Sequence, residues 1–267
     1  MDILRRSTEM VSAEAWHEMD EQAKRILETR LSARKFVDIT GPKGWNYAAH
    51  SCGRLEIQKE QPPKGVMYGI HEVLPLIEAR AVFDLDLWEL DNITRGLKNP
   101  DLTPLEEATK HIADFEEKTI YTGLPSAKIE GLLQAGHGRS LAIKTPSATG
   151  ILETVSQGLY RFQEDGVSGP YALVASPVFW QKLHSATECY PLAKNLKDLL
   201  GGPVILSSHD KGSFLVSIRG GDMELIVGQD FSLGYIGNEG QKGTFFLTES
   251  FTFRVINPEA IILLTTS

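Results

Sequence analysis

The eleven residues from Ile77 to Leu87 alternate between apolar and polar side chains with a single fault, at Val82. This alternation is typical of a β-strand that buries one face. At about 3.3 Å per residue the strand would be roughly 36 Å long. A compact chain of 267 residues has a radius of gyration of only about 18 Å. The strand is therefore long enough to organise the whole fold.

A second alternating segment, residues 54–58, lies upstream and is followed by the polar, turn-like residues 59–65. The two segments together predict a long hairpin. A two-stranded sheet with one apolar face is only marginally stable in water. Another copy of the chain could cover that face. Alternatively, both strands could belong to an internal sheet that packs on this chain's own helices.

The composition is that of an ordinary globular protein, with 42% hydrophobic and 23% charged residues in one large or two small domains. A formal net charge of −8 argues against a nucleic-acid partner, because phosphate contacts require an excess of Lys and Arg. The two cysteines, Cys52 and Cys189, are far apart, which indicates a reducing compartment. No apolar run reaches the ~18 residues of a membrane span, so we expect a soluble, cytoplasmic protein with no membrane partner.

Two helices have clear start signals. Ser12 is a candidate cap for a helix with apolar residues up to Leu31 on one face. Thr103 and Pro104, with Glu106 completing a capping box, start a second helix that should run to Tyr121. Shorter elements after residue 131 indicate a second, mixed lobe. Residues 220–221 should form a tight hairpin turn, and the apolar tail 260–264 should close a sheet in the first lobe.

A search for chemistry gives no persuasive catalytic or metal site. The seven histidines show no metal-binding spacing. His184 and Cys189 could flank a metal, but two isolated loop residues are more often solvated or structural. Trp88 could stack on a flat aromatic cofactor such as a flavin, or it could be an interface or core tryptophan. We therefore predict no catalytic residues, no metal and no required cofactor, and interpret the chain as a scaffold rather than an enzyme.

Several motifs in one order nevertheless resemble those of a known family. They are RKFVD at 34–38, GP at 41–42, GWNYAAH at 44–50, LDLWELDN at 85–92, DG at 165–166, GPY at 169–171, RGGD at 219–222, GQD at 228–230, TESFTF at 248–253 and NPEA at 257–260. On these residues the chain resembles the encapsulin shell proteins, once described as linocin-type bacteriocins. The resemblance covers nearly the whole sequence.

The resemblance implies an α+β fold like that of phage major capsid proteins of the Hong Kong 97 type, with a peripheral domain, an axial domain and an extended two-stranded loop. The peripheral domain would comprise residues 1–51, 88–134 with the spine helix, and the closing strands 228–267. Residues 52–87 would be the extended loop arm. Residues 135–227 would be the axial domain.

The resemblance also implies a homo-oligomeric icosahedral shell, most simply of about 60 subunits, that forms a nanocompartment in a bacterial cytoplasm. One loop of the axial domain would line a pore that admits small substrates or ions. Its residues are His184, Ser185, Ala186, Thr187, Glu188, Cys189 and Tyr190.

In this family, enclosed enzymes carry a C-terminal peptide that docks on the shell interior. The matching positions here are Leu27, Leu31, Arg34, Asp38, Asp230, Phe231, Leu233 and Tyr235. Apolar side chains would receive the peptide's apolar anchors, while Arg34 and Asp38 would fix its polar groups. Leu27 and Leu31 could equally complete the core-facing stripe of their helix.

The enclosed protein would be of the ferritin-like or dye-decolourising peroxidase type, which would place the shell in iron storage or in the response to oxidative stress. The alternative function is that of a secreted bacteriocin or a hydrolytic enzyme, the older view of the family.

Overall fold

A computed structural model describes residues 3–7, 11–58, 65–145, 147–185, 192–209 and 212–266. The helices in these ranges are α1 (Ala13–Arg30), α2 (Leu87–Thr94), α3 (Thr103–Thr122), α4 (Leu132–Ala135), α5 (Ala148–Glu164), α6 (Pro177–Ser185) and α7 (Leu192–Leu200). The strands are β1 (Asp38–Thr40), β2 (Ala49–Ile57), β3 (Gly69–Pro75), β4 (Ile77–Asp86), β5 (Ser140–Ile143), β6 (Tyr171–Ala175), β7 (Val204–Leu206), β8 (Ser213–Ser217), β9 (Met223–Val227), β10 (Ser232–Glu239), β11 (Lys242–Val255) and β12 (Ile261–Thr266).

The two predicted long helices are present. Ser12 caps α1, and its Oγ accepts a hydrogen bond of 3.1 Å from the Ala15 N–H. The predicted capping box of α3 is wrong, because the Thr103 hydroxyl donates to Asp101 at 2.7 Å instead of capping the helix. Glu106 accepts a hydrogen bond from Gln22 of α1 at 2.5 Å. Glu106 therefore joins the two helices.

The first sheet is organised around β11, which pairs with β10, β9 and β4 and extends through β9 to β1. Strand β4 is the alternating segment, and its Phe83 and Leu85 are buried against side chains from α1, α2 and α3. The internal-sheet alternative is thus correct for β4. The predicted hairpin between residues 54–58 and 77–87 is wrong, since β2 pairs with β3 and β4 pairs with β11. Strand β4 ends at Asp86, one residue before the predicted end at Leu87, because Asp86 caps α2.

Strands β2 and β3 form a separate two-stranded arm, and most of the turn predicted at 59–65 lies outside the described residues. Several of the arm's apolar side chains are exposed, among them Leu55 at 47% and Ile57 at 59%. Leu55 and Ile57 are two residues apart on one strand, so they share a face. The arm therefore presents apolar surface that the described part of this chain leaves uncovered.

The second sheet has the order β5-β12-β8-β6-β7. The tail strand β12 lies between β5 and β8, so the prediction that it closes a sheet of the first lobe is wrong. Gly220 and Gly221, both with positive φ, connect β8 of this sheet to β9 of the first sheet. They form a crossover between the sheets, and the predicted tight hairpin is absent from this position. The core includes a cluster to which both sheets contribute, for example Val216 and Leu225.

Candidate peptide-binding groove

A groove of about 630 Å³ lies between the C-terminal half of α1 and the start of β10. Its lining includes six of the eight residues predicted to bind a peptide: Leu27, Leu31, Arg34, Asp230, Phe231 and Leu233. The other lining residues, which the sequence did not indicate, are Arg6, Asp20, Ala23, Lys24, Glu28, Lys35, Ser232 and Leu247. The structure therefore brings together residues that lie about 200 positions apart in the sequence.

Local backbone geometry places the two walls of this groove. The Leu31 N–H donates to the Leu27 carbonyl at 2.9 Å and closes the last turn of α1. A 3₁₀ turn, Ala33–Lys35, then presents Arg34. On the opposite wall, the Phe231 N–H donates to Asp230 Oδ1 at 2.9 Å, and the Ser232 hydroxyl donates to the Asp230 carbonyl at 2.8 Å. These bonds fix the turn that leads into β10.

The apolar part of the groove has a closed floor and accessible walls. Leu233 and Leu247 are buried, at 2% and 1% exposure. Leu27 and Phe231 are only half-buried, whereas Leu31 is 7% exposed. Leu27 and Phe231 therefore offer side-chain surface to an apolar ligand, and Leu31 contributes mainly to the packing beneath it.

Arg34 is the centre of a charged network at the polar end of the groove. Its Nε donates to Glu116 Oε1 at 3.0 Å, and its Nη2 donates to Glu116 Oε2 at 2.6 Å and to Glu249 Oε1 at 2.5 Å. Its Nη1 donates to Asp230 Oδ1 at 3.0 Å. The guanidinium carbon also lies 4.9 Å from the centroid of the Phe231 ring, a cation–π distance. Arg34 thus contacts both Asp230 and Phe231 of the opposite wall.

Burial and charge act in opposite directions on this network. Burial disfavours the charge on Arg34, but the hydrogen bonds and negative charge of Glu116, with Glu249 and Asp230, raise the pKa of Arg34. Burial, and after it the charge of Glu116, raise the pKa of Glu249 well above its ordinary value. Glu249 Oε2 is buried and has no hydrogen-bond partner among the described residues. Arg34 is therefore held as a cation beside a carboxyl group that resists ionisation.

Asp38 and Tyr235, the other two predicted peptide-binding residues, do not line this groove. Asp38 is exposed on β1, and its Oδ2 accepts a hydrogen bond of 2.6 Å from the Gly221 N–H. Tyr235 is 5% exposed, and its ring packs 5.3 Å from that of Phe245. The contact of Asp38 holds the backbone at Gly221, and the contact of Tyr235 is part of the core packing.

The predicted pore loop is described only at its start. His184 is exposed near the end of α6, where its ring lies 4.4 Å from that of Trp180 and its Nδ1 lies 3.0 Å from the Trp180 carbonyl oxygen. Ser185 is the last residue of α6. Ala186, Thr187, Glu188, Cys189 and Tyr190 lie outside the described residues.

Trp88 is 60% exposed and borders a cavity of about 420 Å³, so it is not a core tryptophan of this subunit. The acidic residues lining that cavity are Asp84, Asp86, Glu89 and Asp101, and Lys242 is the basic one. This lining does not fit a cofactor that carries phosphate, because the carboxylates would repel it. The prediction that no cofactor is required, and the alternative that a flavin stacks on Trp88, both stay predictions.

The described ranges contain neither a membrane-spanning helix nor a metal-binding cluster. No helix there is both long and apolar enough to cross a membrane. No group of three or more His, Cys, Asp or Glu side chains in those ranges is arranged to hold a metal ion.

Comparisons with known proteins agree with one another. A family model described as "Encapsulating protein for peroxidase" matches residues 1–252. A protein of Rhodospirillum rubrum named type 1 encapsulin shell protein is 36% identical, over 98% of this chain and 96% of its own length. A protein of Rhodococcus erythropolis with the same name is 32% identical, over 99% of this chain and all of its own length.

Solved structures share the fold. A virus-like particle protein from Pyrococcus furiosus matches with a TM-score of 0.67 at 20% identity, over 95% of this chain and 100% of that one. The capsid protein of the Myoviridae phage XM1 matches with a TM-score of 0.59 at 12% identity, over 89% of this chain and 92% of that one. The predicted α+β, capsid-like fold is confirmed.

Proposed function

Since this chain belongs to the family of encapsulin shell proteins, we propose that it assembles with copies of itself into a closed, hollow shell that encloses partner proteins. The prediction that the chain is a structural protein and not an enzyme is confirmed by relatives that are named as shell proteins. The comparisons give no support to the alternative of a secreted bacteriocin or hydrolytic enzyme. The proposed shell has about 60 subunits, the smallest icosahedral arrangement, in the cytoplasm.

The arm formed by β2 and β3 is the feature that supports assembly most directly. Leu55 and Ile57 are 47% and 59% exposed, and Ile70 on the facing strand is 57% exposed. A two-stranded sheet with exposed apolar side chains is unstable alone in water. In a shell, neighbouring copies would cover the arm, and repeated symmetric contacts of this kind close into a particle.

The groove beside α1 supports the enclosure of partners. It combines half-buried apolar walls, Leu27 and Phe231, with a polar rim at Asp230. An extended peptide with apolar anchors fits such a surface. We propose that the peptide is the C-terminal segment of an enclosed enzyme of the peroxidase or ferritin-like type. The peroxidase in the family model's description supports the first of these.

We also propose that residues 184–190 line a pore for small substrates or ions. The exposure of His184 near the end of α6 is consistent with this role.

The docking proposal is tested with a probe taken from the natural contents of the shell. Particles purified from the native host are analysed by mass spectrometry, and the C-terminal segment of the enclosed protein is fused to a fluorescent protein. The fusion is then co-expressed with the shell chain. We expect Leu27→Asp with Phe231→Asp to give assembled particles without the probe, because buried carboxylates would replace the apolar contacts.

The matched control is Leu27→Met with Phe231→Tyr, which keeps an apolar side chain at position 27 and an aromatic ring beside Arg34 at position 231, and it should retain the probe. Leu27 is preferred over Leu31 for this test because Leu31 is 7% exposed, so a charge there would also disturb the fold. Equal probe content in the aspartate and control particles would defeat the docking assignment.

A further inference from the structure

Arg34 lies in the proposed docking groove, yet it has little to offer a ligand. All three guanidinium nitrogens already donate to carboxylates of this chain, on Glu116, Glu249 and Asp230. The side chain is only 16% exposed. A peptide in the groove could not pair with Arg34 in a bidentate manner unless one of these bonds were broken, and breaking it would leave a charged group without its partner.

Arg34 instead supports the residues that a ligand can reach. Its guanidinium lies 4.9 Å from the Phe231 ring centroid, and its Nη1 holds Asp230 Oδ1 at 3.0 Å. The same Asp230 oxygen accepts the Phe231 N–H at 2.9 Å. The position of the guanidinium thus constrains both the ring and the backbone of Phe231. The side chain of Asp230 is 48% exposed, so it can still meet a ligand.

Two separate elements hold the guanidinium in place on its buried side. Glu116 projects from α3 and Glu249 from β11, and both side chains are fully buried. A planar guanidinium between two carboxyl groups has little rotational freedom, because its N–H donors point in fixed directions. The stack on Phe231 is therefore oriented by the protein core.

We propose that Arg34 is a positioning residue, which uses the buried carboxyl groups of Glu116 and Glu249 to hold Phe231 and Asp230 in the geometry that receives the docked peptide. This inference rests on the proposed docking function and replaces the expectation that Arg34 binds the peptide's polar groups. An apolar wall that is already ordered loses less conformational entropy when a peptide binds.

The decisive variants separate positioning from general stability. Arg34→Met alone leaves two buried carboxyl groups without their cation. The triple variant Arg34→Met, Glu116→Gln, Glu249→Gln replaces both carboxyl groups with neutral amides and should recover most of the thermal stability. We expect the triple variant to form normal particles that bind the fluorescent probe at least tenfold more weakly than wild-type particles. Arg34→Lys, which keeps a charge but loses the planar stack, should also weaken probe binding.

Normal probe binding in the triple variant or in Arg34→Lys would overturn the inference. If the triple variant does not assemble, a cryo-electron microscopy map of loaded wild-type particles tests the inference instead. We expect the Arg34 nitrogens to keep their three carboxylate partners in that map. A direct hydrogen bond from Arg34 to the peptide would refute the positioning role. These outcomes differ from a failure of the docking proposal, in which the Leu27→Asp, Phe231→Asp particles would retain the probe.

Discussion

Arg34 Nη2 donates a hydrogen bond of 2.5 Å to Oε1 of Glu249, whose side chain is fully buried and whose second oxygen, Oε2, has no hydrogen-bond partner among the described residues. Burial raises the pKa of Glu249, and Arg34 opposes this only in part. The folded protein therefore holds a proton on this carboxyl group at pH values where an unfolded chain would release it. This imbalance makes stability depend on pH in a predictable direction.

We expect Glu249→Gln to become more stable relative to wild type as the pH rises. A group whose folded-state pKa is raised stabilises the protein below the unfolded-state pKa, here 4.5, and this contribution is lost as the pH rises toward the folded-state value. The difference in free energy of unfolding between the two proteins should therefore grow as the pH rises within that window. Thermal unfolding of both proteins across pH 4 to 8 measures it, and a pH-independent difference would contradict the account.

Glu224 provides a control of opposite sign. Burial would raise the pKa of Glu224, but hydrogen bonds from Thr40 and Arg254 prevail and lower it. A lowered pKa contributes stability above the unfolded-state value that is lost as the pH falls. Glu224→Gln should therefore be less stable than wild type at pH 7. The difference in free energy of unfolding between the two proteins should become smaller below pH 4.5. A gap that widens in acid would argue against the ion pair with Arg254.

Arg34→Met should destabilise the subunit strongly. The substitution leaves Glu116 and Glu249 buried without a cation, and removing one partner of a buried ion pair costs about 3–5 kcal/mol. Chemical denaturation measures this change. Arg25→Met is the matched control, because Arg25 is 57% exposed and its exposed pair with Glu18 should contribute about 1 kcal/mol or less. Equal stability of the two variants would refute the buried network.

The arm should be required for assembly but not for folding. Leu55→Asp with Ile57→Asp places charges on the exposed apolar face of β2, where a neighbouring copy is proposed to pack. We expect folded subunits with an unchanged circular dichroism spectrum that elute far later from a sizing column than wild type. Arg54→Gln with Glu56→Gln, on the same strand, is the control and should still assemble. Particles of ordinary size from the aspartate variant would show that the arm is not the contact.

The sequence predicted where strands lie and which of their faces are buried, but it did not predict which strands pair with each other. The alternation from Ile77 correctly indicated a strand with Phe83 and Leu85 on its buried face. It could not indicate the partner, because alternation specifies which face is buried and not which strand lies alongside. The pairing of β4 with β11 joins segments about 160 residues apart. Gly220 and Gly221 likewise indicated a turn, but they did not indicate that the turn leads from β8 in one sheet to β9 in the other.

Part of the groove's lining could be predicted from the sequence. Six of its residues were named through the resemblance to a family, whereas Glu116 and Glu249, which anchor Arg34, were missed. A signal existed for Glu116, since Ile112, Glu116 and Ile120 follow one another at the four-residue spacing of a buried helical face. Glu249 lies in a strand that is buried along most of its length, so an acidic residue there required a cation that only the fold brings near.

Closure of copies of this chain into a shell can be seen by electron microscopy of the purified wild-type protein. We expect hollow particles of uniform size that elute near the void volume of a sizing column. A field of monomers or dimers, found at several salt concentrations and pH values, would contradict it.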